Sequence, residues 1–280
     1  MAAIALALAS SVTWGLGDFL GGLKSRSLPL LNVIVASQAT GLVLIAAFVA
    51  ARGVGAPGGD FAVFAGLSAL AGVTGLAAFY RALAVGNMGI VAPISSCAAV
   101  VPLVVGIATG DRPGSVQATG LVLALVGVVL ASREEVVGEA RRRRTARGAG
   151  LAMVSALGFG FFFLALDRAS DADVAWAMLV NRMTGVSLLL LAVAVVRPPL
   201  RAGRRDIPVL VGIGALDVGA NGMFAVAATE GLVSVVSVVG SLYPLTTVVL
   251  AAVVLRERPH RLAQLGVAIA LLGVALIAAG

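Results

Sequence analysis

Three ionisable side chains stand where the surrounding sequence is almost wholly apolar: Asp18, Arg182 and Asp217. A charge at depth in hydrocarbon costs about 2.5 kcal/mol or more, so by default it faces a partner or a water-filled cavity. An arginine so placed can hold a carboxylate or phosphate, and an aspartate can take up and release a proton. At 1.5 Å of rise per helical residue, Arg182 lies about 12 Å and Asp217 about 15 Å from the starts of their segments, which lie on opposite sides of the membrane, so the two can meet near the middle of a core about 30 Å thick. Two roles are open to them. They can form a buried ion pair that locks two helices, or Arg182 can hold an anionic group of a substrate while Asp217 carries a proton. Asn221, one turn beyond Asp217, shares its face, which favours Asp217 for coupling over Asp18, near a helix end.

Milder polar groups surround these three. Ser234, Ser237 and Ser241 are spaced three and four apart, on one stripe of a helix. Ser95 and Ser96 follow Pro93, and Gln38 stands within the second apolar segment. Small hydroxyl residues also let helices approach closely in lipid, so a serine stripe alone does not separate binding from packing. Pro93, Pro102 and Pro244 free backbone carbonyls, which are tolerated at depth where they line a cavity or find another partner. Trp14 lies about 16 Å into its segment, too deep for an interfacial anchor, so an aromatic cavity wall is expected there; Trp176, at the start of its segment, reads as an anchor. Metal and acid–base chemistry lack material: the one histidine, His260, and the one cysteine, Cys97, have no matching ligands in sequence. No catalytic residue, metal or cofactor is expected.

The elements that must position these groups follow from composition. The chain has 280 residues, 60% apolar and 12% charged, with a mean hydropathy of +1.08, whereas soluble domains carry about 25% charge. A soluble enzyme and a disordered chain are both excluded. Ten apolar spans are predicted: Ala2 to Gly22, Leu30 to Ala51, Phe61 to Tyr80, Asn87 to Ala108, Ser115 to Ser132, Ala149 to Leu166, Val174 to Val196, Ile207 to Val226, Leu232 to Leu255 and Leu262 to Ala279. The fold class is therefore an all-α polytopic membrane protein. Its net charge of +7 points to orientation in a bilayer rather than to nucleic acid. Sixteen basic residues, among them Lys24, Arg81, Arg141 to Arg144, Arg205 and Arg256, fall in odd-numbered loops, against Arg52, Arg112 and Arg168 in even-numbered ones. Basic loops stay inside, so the odd loops are expected in the cytoplasm of a cell inner or plasma membrane.

The two halves align at an offset of roughly 145 residues. Trp14-Gly15 falls on Phe159-Gly160, Thr40-Gly41 on Thr184-Gly185, and Gly66 and Phe79 on Gly212 and Phe224. Asp111-Arg112-Pro113 falls on Glu257-Arg258-Pro259, Gly120 and Gly127 on Gly266 and Gly273, and Gln38 on Arg182. This divides the chain into a first five-helix repeat, 1–132, a basic cytoplasmic linker, 133–148, and a second repeat, 149–280. Five is odd, so the second copy enters upside down. Inverted repeats are a common architecture of secondary transporters, with the site between the halves. A small-molecule substrate, protons as a candidate coupling ion and membrane lipid are the expected partners, and the chain would act as a monomer or homodimer. The fifth and tenth helices, almost without ionisable groups and with glycines seven apart, read as scaffold.

Several segments resemble the EamA-type members of the drug/metabolite transporter superfamily. They are Trp14-Gly15, Tyr80-Arg81-Ala82-Leu83-Ala84 leading to Gly86, Val91-Ala92-Pro93-Ile94, Ser241-Leu242-Tyr243-Pro244, and Glu257-Arg258-Pro259 with Gln264 and Gly266. The resemblance implies a ten-helix secondary carrier, often an exporter of amino acids or similar metabolites, with a cavity lined by the first four helices of each half. Substrate contacts are expected from Trp14, Gln38, Tyr80, Ser96, Arg182, Asn221, Ser237, Ser241 and Tyr243, and proton coupling from Asp217 and Asp18. A flippase of a lipid-linked or sugar-type substrate is the alternative use of such a fold.

Overall fold

In lipid every backbone polar group must be satisfied within its own segment, so apolar runs of this length can only be helices or barrel strands. The computed structural model of the chain describes residues 2–24, 27–85, 94–95, 97–131, 139–197, 199, 203–254 and 261–279, without the side chains of Tyr80 and of 141–149 among others. The helices are α1 (Ala2–Lys24), α2 (Leu30–Arg52), α3 (Phe61–Val85), α4 (Val100–Thr109), α5 (Ser115–Ala131), α6 (Glu139–Ser170), α7 (Val174–Val196), α8 (Ile207–Glu230), α9 (Val233–Gly240), α10 (Tyr243–Val254) and α11 (Arg261–Ala279). Six are long and apolar enough to cross a membrane: α1, α2, α3, α6, α7 and α8. Shorter apolar helices cover Cys97–Thr109, Ser115–Leu130 and Gln264–Ile277. This is a multi-pass membrane protein, and its large exposed residues, such as Phe48, Leu191, Val195 and Val253, are apolar as a lipid-facing surface requires.

Three elements differ from the simple pattern of spans. The segment Leu232 to Leu255 is two helices, α9 and α10, separated at Ser241-Leu242. Proline at 244 lacks the N–H that would bond the Gly240 carbonyl, so the first helix ends there and the second begins with proline in its first turn. A 3₁₀ turn, Cys97–Ala99, leads into α4; residues 87–93 and 96 of the expected fourth span lie outside the described residues. The sixth helix begins at Glu139, ahead of Ala149, because alanine and arginine are good helix formers on either side of a membrane boundary.

Close approach decides the packing. A side-chain carbon added at Gly120 would lie 2.6 Å from the Gly273 carbonyl oxygen, and one at Gly273 would lie 2.7 Å from that of Gly120. The backbones of α5 and α11 thus touch through the seven-spaced glycines. Elsewhere α3 packs on α6, α1 on α8, and α2 on both α7 and α8. A buried apolar cluster around Leu166, Phe224, Val236, Val238 and Val239 joins α6, α8 and α9.

Candidate transport site

A cavity of about 200 Å³ lies among α1, α2, α3, α6, α7 and α8, with Ser241 and Tyr243 from the α9–α10 break on its wall. Its polar centre is built from a few side chains on the otherwise largely apolar helices α2, α7 and α8. The guanidinium of Arg182 on α7 is 6% exposed and lies 2.7 Å from the Oδ2 of Asp217 on α8. Its other terminal nitrogen donates to the Gln38 Oε1 on α2. Gln38 in turn donates through Nε2 to Asp217 Oδ2 at 3.0 Å, and Asn221 Nδ2 donates to Asp217 Oδ1 at 3.2 Å. Arginine, glutamine and asparagine therefore saturate one carboxylate, and three helices are tied together at depth. Arg182 and Asp217 meet, as their depths along opposite helices allow.

Asp18 borders the same cavity from α1 and is exposed into it. Among the described residues it makes no hydrogen bond or ion pair. Aromatic rings supply much of the remaining wall. Trp14 stands 5.8 Å from Phe163 and 6.5 Å from Tyr243, centroid to centroid, and Phe79 stands 6.2 Å from Phe159.

Of the residues singled out from sequence, Trp14, Asp18, Gln38, Arg182, Asp217, Asn221, Ser241 and Tyr243 all border this cavity. Ser237 does not: it is fully buried one turn below Ser241, within α9. Ser96 and the side chain of Tyr80 lie outside the described residues. Ser37, Asn181, Phe79, Phe159, Phe162 and Phe163 also border the cavity and were not anticipated. The repeat held the signal for three of them, since Phe159 is the counterpart of Trp14, and Ser37 and Asn181 precede the counterparts Gln38 and Arg182.

Among the described residues, two ion pairs join the halves away from the cavity. Lys24 at the end of α1 lies 2.6 Å from Asp206, just before α8. Arg52 at the end of α2 holds Asp173 through two hydrogen bonds of 2.9 Å, and Asp173 also accepts from the backbone N–H groups of Ala175 and Trp176, capping α7. The Arg52 hydrogen bond, against a smaller opposing effect of burial, holds the Asp173 carboxyl below its ordinary range; the Lys24 hydrogen bond does the same for Asp206.

A multi-pass helical chain whose halves close around one polar and aromatic cavity has the build of a membrane transporter. The EamA-like transporter family matches residues 1–133 and again residues 146–279, and the chain belongs to that family. It is a membrane transporter of the drug/metabolite type, made of two copies of one unit. A solved crystal structure that is 17% identical in sequence superposes with a TM-score of 0.79, covering 98% of this chain and 95% of its own, so the two share the fold. No curated protein matches the chain.

Proposed function

We propose that the protein is a secondary-active carrier that exports small metabolites of amino-acid size by alternating access, with protons as the coupling ion. In this reading ten spans form two inverted five-helix repeats, residues 1–132 and 149–280, joined by a basic cytoplasmic segment, 133–148. The substrate site is the central cavity, and the odd-numbered loops face the cytoplasm of the cell's inner or plasma membrane. The observation that carries the reading is the cavity itself, where charged and amide groups from both halves converge with aromatic rings. Two halves that grip one central site can rock to expose it to either side in turn.

Coupling falls to Asp18 before Asp217. The Asp217 carboxylate is already held in place by an arginine and two amide donors. Asp18 has none of them. The test is reconstitution into liposomes carrying an internal pH-sensitive dye, challenged with a panel of amino-acid-sized metabolites. At least one compound should drive proton movement that empty liposomes lack, and Asp18→Asn should abolish it. Protein-containing liposomes that behave like empty ones across the whole panel, with and without a pH gradient, would end the proposal.

A further inference from the structure

Counting charge around the cavity narrows its substrate. Arg182, Asp217 and Asp18 are the charged residues on its wall among those described. Arg182 and Asp217 cancel, and Arg182 has both terminal nitrogens engaged while being 6% exposed. No cation is left to meet a substrate carboxylate. The break between α9 and α10 adds no net field either, since the negative end of one half-helix stands beside the positive end of the other. One unit of negative charge remains, on a carboxylate open to the cavity and without a partner among the described residues.

Aromatic rings line the same cavity. Six of the chain's fourteen Phe, Trp and Tyr residues border this one cavity, and ring faces attract cations as carboxylates do. An apolar cavity of about 150 Å³ accepts benzene, so about 200 Å³ suits one ring with a short side chain.

Resting on the transport-site reading above, we propose that the substrates are monovalent organic cations, amines carried on a single ring and lacking a carboxylate, with Asp18 as their counter-ion. A zwitterion of the same size would bring a carboxylate into a cavity whose uncompensated charge is already negative. An acid would do so without any ammonium group to offset it.

Three probes sharing one ring test this: phenethylamine, phenylalanine and 3-phenylpropanoate, each titrated calorimetrically into the full chain in lipid nanodiscs. Phenethylamine should bind at least tenfold more tightly than either of the others. Asp18→Asn should weaken phenethylamine at least tenfold, and Asp18→Glu should restore it. Phenylalanine or phenylpropanoate binding as tightly as the amine would overturn the charge assignment while leaving the cavity a substrate site. Unchanged amine binding in a folded Asp18→Asn protein would overturn the role of Asp18. No binding of any probe to folded wild-type protein would overturn the proposal together with the site it rests on.

Discussion

Removing one member of the Arg182–Asp217 pair should cost far more than removing both. Arg182→Met leaves Asp217 charged, with Gln38 and Asn221 still donating to it and a quarter of its side chain exposed. Breaking a buried pair from one side costs about 3–5 kcal/mol, and the surviving donors and exposure place this variant near the lower end, about 3. Asp217→Leu is the harsher change, because it strands a guanidinium that is 6% exposed with only the Gln38 amide oxygen to face; about 4–5 kcal/mol is expected. Replacing both together removes both charges, and exchanges of that kind are often neutral or stabilising. The double variant should therefore be more stable than either single one, with a coupling energy of at least about 2 kcal/mol in the cycle. Reversible unfolding in mixed micelles by sodium dodecyl sulfate, followed by tryptophan fluorescence, gives all four corners. Additive single effects, with coupling below about 0.5 kcal/mol, would refute the view that these two residues lock α7 to α8.

The scaffold and the loop ion pairs give further tests. Gly127→Val should separate α5 from α11, because even its first carbon would lie 2.6 Å from the Ala270 Cα; overpacking of this kind costs about 1–3 kcal/mol, to be read as a fall in Tm in detergent, whereas Gly150→Val, with open space around it, should leave Tm unchanged. Asp173→Ala removes the cap of α7 and should cost about 1 kcal/mol at pH 7, with little more from the exposed Arg52 pair. Because the Asp173 carboxyl is held below its ordinary range, its contribution is present above that range and lost as the pH falls through the folded value. The Tm difference between wild type and Asp173→Ala should therefore shrink between pH 7 and about pH 3; a constant difference would count against the charged Asp173 carboxylate, held by Arg52 and capping α7, as the source of the stability.

Much of the scaffold and part of the site were legible in sequence for different reasons. The six long apolar spans follow from hydropathy alone, and the apolar stretches around Asp18, Arg182 and Asp217 made those three conspicuous. Gln38 was visible only as the counterpart of Arg182. Its two-sided role, accepting from the guanidinium and donating to the carboxylate, depends on how α2 sits between α7 and α8. Phe162 and Phe163 belong to a run of three phenylalanines, where periodicity does not say which ring faces inward. Ser237 shares a stripe with Ser241, yet the break at Ser241-Leu242 leaves one on the cavity and the other in the core.

The contacts themselves carry the duplication further than the alignment does. Gly127 lies against Ala270, and Gly273 lies against Ala124. At the repeat offset Gly127 corresponds to Gly273 and Ala124 to Ala270, so exchanging the halves turns one contact into the other. Gln38 and Arg182, also counterparts, touch each other directly, which is possible only close to an axis relating the halves. Backbone packing therefore obeys the exchange, but the charges do not. The counterpart of Asp18 falls on Phe162 or Phe163, and that of Asp217 on Ala71 or Gly72. A symmetric scaffold can present its cavity to either side with similar energy, because each state is nearly the other with the halves exchanged. Under the alternating access proposed above, the carboxylates, present in single copy, would meet a different half-site in each state. That difference is what a bound cation or proton could act on, since a ligand shifts such an equilibrium only through unequal affinity for its two states.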